Sequence, residues 1–353
     1  MVFRYKYFLL IVSFFMFISG CVSSSIKYRD ISEMELKQKE MINSFFGGVG
    51  YKTENPSLIA GNLNNRIVSA AWWGFSKDNS THALQSAIKS GAKKVIVPDM
   101  GFPWIVNPIF LESNQTIIFE KGVIVLAVKG EYMDKGDKLF TAYEKENITL
   151  MGYGAEFKMY KRDYSKRPYR ESQWRHTLEL GGCRNINIYG LTMRESGGDG
   201  IYIGSGGKGY CENIHIKDVV LDGHYRQAIS VVSVKNLLVE NSYLINTRGH
   251  NPQAGIDFEP NFRSEFLVNC VIKNCLIANN SGRGVIVFAA NLKSDSNPFS
   301  IRIESCTFEH HFVCVTVHMS RDNPRGNISL IRNKYSGINK LPRSENLTYN
   351  IIE

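Results

Sequence analysis

Two carboxylates one residue apart, Asp257 and Glu259, stand in the run Gln253-Ala-Gly-Ile-Asp257-Phe-Glu259-Pro-Asn261. In an extended strand they face the same way, about 7 Å apart. That spacing suits an acid and a base with water between them, the inverting arrangement for glycoside hydrolysis. It equally suits two ligands of a calcium ion in a lyase or epimerase, where the cation neutralises a uronate carboxylate. Three earlier segments carry comparable groups: Trp174-Arg175-His176 ahead of Glu179, Asp199-Gly-Ile-Tyr202, and His224-Tyr-Arg226-Gln227 ahead of Ser230. Asp199 would assist the pair, while Arg175, His176 and Arg226 would position a carboxylate or, with Tyr202, move a proton. Trp174, Glu179, His224, Gln227 and Asn261 complete the candidate substrate contacts. Any one of these residues alone reads most simply as a solvated or salt-bridged side chain; their recurrence in four successive segments is what points to a site.

Recurrence requires a repeating scaffold. Short strands opened by a polar residue run through the chain, as in Asn114-Gln-Thr-Ile-Ile, Asn147-Ile-Thr-Leu, Asn185-Ile-Asn-Ile, Asn213-Ile-His-Ile, Asn236-Leu-Leu-Val, Ser300-Ile-Arg-Ile and Asn327-Ile-Ser-Leu. Each of the later ones leads to a second strand, and the residues between align as Gly152, Gly190, Asp218, Asn241, Asn274, Ser305 and Asn333. Strand-only units at a period of roughly 23–38 residues indicate a solenoid coil with loops inserted in its turns. A second column, Leu178, Ile201, Ile229, Ile256 and Val285, turns inward. Alternation then sends Glu179, Tyr202, Ser230, Asp257 and Ile286 outward, one above another at about 4.8 Å per rung. One pair further along, Gly204, Val232, Glu259 and Phe288 also face out. The expected class is all-β, a right-handed parallel β-helix. A short capping helix precedes it, with Ala83, Leu84, Ala87 and Ile88 inward, Asp78-Asn79-Ser80 at its start and Gly91 at its end. Residues 31–46 also have helical character.

The 353 residues are 43% hydrophobic, enough for a packed core, and carry a formal charge of +9. Arg4 and Lys6 precede a short apolar run that ends Ile18-Ser19-Gly20-Cys21. A charged start, a short apolar stretch and small residues before a cut describe a secretory signal. The cysteine directly after them resembles a bacterial lipobox, which implies a lipid anchor on Cys21 and a place in the cell envelope, periplasmic or at the cell surface. The division expected is a signal over 1–20, a lipidated tether and N-terminal segment over 21–60, and the β-helix over 61–353. Cys183 falls over Cys211 and Cys275 over Cys306, which reads as packing cysteines in a solenoid interior. The insertion from Lys158 to Arg175 mixes seven cations with Tyr160, Tyr164, Tyr169 and Trp174. Such a mixture can hold an anionic sugar chain by charge and ring stacking.

The run Asp199-Gly-Ile-Tyr resembles the polygalacturonases. Two departures follow: Arg226 and Gln227 stand where that family has adjacent aspartates, and Ala254-Gly255-Ile256 where it has a histidine between glycines. The closer resemblance, over roughly 70–340, is to bacterial right-handed β-helix proteins that share Trp-Arg-His, Gly-Gly-Asp-Gly-Ile-Tyr, Arg-Gln-x-Ile-Ser and Ala-Gly-Ile-Asp-x-Glu-Pro-Asn. It implies a fold and a shared site rather than a reaction. The leading expectation is an enzyme that cleaves an acidic extracellular or periplasmic polysaccharide or oligosaccharide by hydrolysis or elimination. A C5-epimerase and a non-catalytic glycan-binding lipoprotein are the alternatives. Calcium is compatible with the carboxylates. Nucleic acid is not an expected partner, since an anchored, exported chain without a recognition helix does not meet it.

Overall fold

A computed structural model describes residues 31–46, 50–64, 66–310, 313–322, 324–337 and 350–352. The expected signal segment and Cys21 lie outside the described residues. Three sheets of 11, 9 and 8 strands wind through the chain in that order within each coil, and every strand pair is parallel. Parallel strands joined in this way take the right-handed crossover. The interior is a set of aliphatic stacks. Ile186, Ile214, Leu237, Cys270, Ile301 and Ile328 lie in register along the first sheet and are all buried. Each fully buried side chain of this kind stabilises by about 1.5–3 kcal/mol relative to exposure.

The inward column of the third sheet is as the alternation predicts: Leu178 pairs with Ile201, Ile201 with Ile229, Ile229 with Ile256 and Ile256 with Val285. The outward column follows from it, Glu179, Tyr202, Ser230, Asp257 and Ile286. At the other corner of the coil, Asn114, Asn147, Asn185, Asn213, Asn236 and Asn269 all take positive φ. Each side-chain amide from Asn147 onward donates to the carbonyl of the asparagine one rung before, at 2.7–2.9 Å. Asparagine tolerates this backbone better than other non-glycine residues, which is why it opens the strands. Asn269 belongs to the ladder although its strand, Leu267–Lys273, begins before it. The sequence alignment slips in one place. Glu304 pairs with Ile331 and Thr307 with Lys334, so Ser305 stacks on Arg332 rather than on Asn333.

The helix Thr81–Lys89 buries Ala83, Leu84, Ala87 and Ile88 and closes the first coil. The helix Ile31–Phe46 lies against the sheet, where the Gln38 amide donates to the carbonyls of Phe119 and Tyr153 and accepts from the Tyr153 amide. Cys183, Cys211, Cys275 and Cys306 are buried free thiols, with the Cys183 amide 3.2 Å from the Cys211 sulfur.

Candidate functional site

The third sheet's outward face gathers the chemistry over four coils, through strands Leu178–Gly181, Ile201–Gly204, Gln227–Val231 and Ala254–Phe258. Its centre is Arg226. The guanidinium Nη2 donates to both oxygens of Glu259 at 2.7 Å, and Nη1 lies 3.5 Å from Asp199 Oδ2. Asp199 reaches no solvent. Its Oδ2 accepts from Ser230 Oγ at 2.9 Å and its Oδ1 from the Gln227 amide at 3.1 Å. Burial pushes the Asp199 carboxyl up to about 7 against the pull of Arg226.

Asp257 is 2% exposed and accepts from Gln227 Nε2 at 2.8 Å through Oδ2, while Oδ1 has no donor among the described residues. Its carboxyl feels both Glu259 and Arg226. Burial first, and Glu259 second, hold it well above the usual carboxylate range, beyond what Arg226 and Gln227 offset. Loss of water and a like charge nearby both favour the neutral form of this carboxyl. The two carboxyls have different partners: Glu259 turns to the Arg226 guanidinium and Asp257 to the Gln227 side-chain amide. Glu259 remains the accessible member, with 21% of its side chain exposed.

His176 is buried. Its Nδ1 accepts from the Asp199 amide at 2.9 Å, which places the ring proton on Nε2. Burial, with Lys138 and Arg226 nearby, keeps the imidazole neutral well below its ordinary value. Tyr202 stacks on it, ring centroids 4.9 Å apart, and lies across Gly204, where an added Cβ would come within 2.6 Å of the ring. Glu179 closes the lower edge in an ion pair with Lys138 at 2.5 Å.

Two expected contacts lie elsewhere. Arg175 is fully buried, and its Nε and Nη2 donate to the carbonyls of Tyr132, Met133 and Arg170. The Tyr164 and Tyr169 rings cover it at 5.4 and 5.9 Å, so it holds the insertion down and faces no substrate. The insertion also contains one helical turn, Lys161–Tyr164, in a region expected to lack helix. His224 is likewise buried, its Nδ1 2.8 Å from Ser196 Oγ, and burial takes it down to about 3. Gln227 is buried too, but it touches Asp257 directly. Trp174 is 49% exposed and Asn261 is exposed in the turn beyond Glu259. Sequence reasoning placed Ser230 on the outward column without giving it a role, and it missed Lys138, whose loop shows no repeat. Among the described residues no group of three or more His, Cys, Asp or Glu has metal-holding geometry. The cationic position among the carboxylates is taken by Arg226.

Residues 171–335 match the family described as right handed beta helix region. No curated protein matches the chain. Among solved structures, a 1,3-α-1,4-β-D-galactose-4-sulfate-3,6-anhydro-D-galactose-2-sulfate 4 galactohydrolase is similar at 13% identity, over 76% of this chain and 70% of that one, with TM-score 0.56. A tailspike protein mutant of E. coli bacteriophage HK620 in complex with hexasaccharide is similar at 15% identity, over 78% and 52%, with TM-score 0.59. Tailspike gp49 from Acinetobacter baumannii bacteriophage Fri1, a capsular polysaccharide depolymerase, is similar at 13% identity, over 78% and 57%, with TM-score 0.50. The chain thus spans little more than half the length of these tailspikes. At such identities the likeness concerns the fold, and the sheet order, the stacked registers and these matches agree on it: the protein is a right-handed parallel β-helix.

Proposed function

We propose that this protein is a glycan-active enzyme of the cell envelope and that the Arg226–Glu259–Asp257 cluster hydrolyses a glycosidic bond. The observation that carries this reading is a pair of carboxyls on one face: Asp257, buried with its Oδ1 unpartnered among the described residues, and the accessible Glu259, held by both oxygens on Arg226. Such a pair can take a proton from water and return it to the leaving oxygen. Glu259 would meet the reacting atoms. Asp257, the carboxyl held up by burial, would hold a proton, and Asp199, through Arg226, would fix the position of Glu259.

The surroundings support a polymer as the substrate. Tyr143 pairs across to Gly181, and beyond Glu259 the same outward position holds Phe288, which pairs with His318. Tyr143 is 54% and Phe288 40% exposed. Five rungs at about 4.8 Å separate them, roughly 24 Å along the solenoid axis, the length of several sugar units. Aromatic faces spaced along that line suit stacking on pyranose rings. The similar structures include a galactohydrolase and a capsular polysaccharide depolymerase, which favours the same class. Elimination is the weaker reading, because it needs a free positive charge for a uronate at the point of chemistry. Arg226 is committed to Glu259 and Asp199. The lipobox-like Cys21 supports the envelope location.

Product analysis tests the proposal. The full-length protein in detergent is incubated with neutral and anionic polysaccharides beside Glu259→Gln and Asp257→Asn variants. New reducing ends without an unsaturated uronate chromophore, lost in both variants, are expected. A chromophore would replace hydrolysis by elimination, and no change in chain length over the panel would leave a binding role.

A further inference from the structure

One lysine of the cationic insertion completes a groove beside the candidate site. After each strand of the second sheet the coil turns into the third, and along that turn Asn246, Asn279, Asn280 and Ser281 form the floor of a cleft of about 540 Å³. Lys161, Arg248 and His310 complete its lining, which contains no acid. Two elements far apart in sequence build the wall: Lys161 Nζ donates to the Arg248 carbonyl at 3.3 Å, and Arg248 Nε donates to Ser281 Oγ at 3.0 Å. Among the described residues neither Lys161 nor Arg248 has an ion-pair partner, and both Nη groups of Arg248 are left without an acceptor.

Cations brought together without counter-ions repel one another. Burial lowers the Lys161 ammonium; Glu195 and Asp222 act against this, more strongly than Arg162 and Arg248 add to it. Asp222 is already taken by Arg194 and the Asn246 amide, so it does not neutralise the groove. An oxyanion would satisfy what is left over: a planar fork at Arg248, an ammonium at Lys161 and neutral amides on the floor.

We propose that this groove is an oxyanion subsite, which takes the sulfate or carboxylate group of an acidic glycan whose backbone lies on the neighbouring outward stripe. The inference rests on the glycan reading above and adds the substrate class. It also resolves a tension in the molecule. The cluster at Asp199, Asp257 and Glu259 has its one guanidinium committed and offers an anion no free cation at the point of chemistry. The groove, one turn earlier in each coil, holds the anionic substituent away from it.

Affinity electrophoresis of the full-length protein in detergent tests this, with gels containing a neutral galactan, a sulfated galactan or a polyuronate. An anionic polymer should retard the wild type at concentrations at least about tenfold below those of the neutral one, less so in high salt. Whether sulfate or carboxylate is taken is read from which anionic gel does so. Lys161→Met/Arg248→Met should lose that advantage and keep the retardation by neutral galactan, while Arg248→Lys should keep most of it. A double variant retarded like the wild type overturns the inference. So does loss in Arg248→Lys together with a lowered Tm, which would mark a structural role. Wild type retarded only by the neutral polymer overturns the subsite and leaves the glycan reading standing. Retardation by none of the three overturns both.

Discussion

The first and third sheets are built from the same coils, yet their outward faces treat charge in opposite ways. On the first sheet, Tyr189 donates to Asn187 at 2.9 Å and meets His215 Nδ1 at 3.1 Å, His215 Nε2 meets Glu240 at 2.9 Å, and Lys273 reaches Glu240 at 3.1 Å. Burial pushes the Glu240 carboxyl up, but the hydrogen bonds from His215 and Lys273 outweigh it and hold it below its ordinary value. On the third sheet, burial and Glu259 push Asp257 up, and Arg226 and Gln227 do not offset them. Stacking rungs makes complementary ladders easy to form, so a face where they are refused marks a place given over to something other than stability.

The largest break in this comparison should come from Glu259→Gln. If the accessible carboxyl carries the proton transfer, turnover should fall by about 10²–10⁴-fold, measured as reducing-end release, with Tm little changed. Next comes the pH dependence of stability. Asp199, raised to about 7, binds more protons folded than unfolded, so its contribution is full below the ordinary carboxylate value and is lost as pH rises through 7. His224, lowered to about 3, acts in the other direction: stability falls as pH drops below its ordinary value of 6.5. In the window between about 4 and 6.5 the two nearly cancel. Asp199→Asn should unmask the histidine. Urea melts of the variant should lose up to about 1.4 kcal/mol per pH unit on acidification relative to wild type. Parallel pH profiles would mean that Asp199 is ionised in the folded protein.

The register of both faces was legible in the sequence, because a solenoid copies its inward pattern from coil to coil and alternation then fixes what faces out. Hence Glu179, Tyr202, Ser230 and Asp257 stack as the pattern predicts. Depth was not legible. Arg175 and His224 carry the polar chemistry expected of a surface, but the insertion folds over one and the coil turn encloses the other. Nor does strand rise show that Glu259 and Asp257 are held by Arg226 and Gln227, two residues from the coil below. The slip at Ser305 has a similar origin. The asparagine at 333 is the attractive match, yet Arg332 takes the positive-φ position.

The first sheet should respond weakly to substitution, and in a way that separates geometry from charge. Asn213→Ala removes two ladder hydrogen bonds and leaves a Cβ at φ 56° without the local hydrogen bonding that helps asparagine there. A loss of about 1–2 kcal/mol is expected, and less in Asn213→Gly, which relieves the backbone. Glu240→Gln should cost under about 1 kcal/mol, because the ion pairs it leaves are partly solvated. Its sign distinguishes the two faces. The Glu240 carboxyl is held down, so what it contributes is present above its ordinary value of 4.5 and disappears as pH falls through its lower folded value. Wild type and Glu240→Gln should therefore converge at acid pH, where wild type and Asp199→Asn diverge. Convergence in both pairs, read from urea melts at pH 3–8, would mean that the carboxyls of the third sheet are satisfied like those of the first, and the contrast that marks the site would be gone.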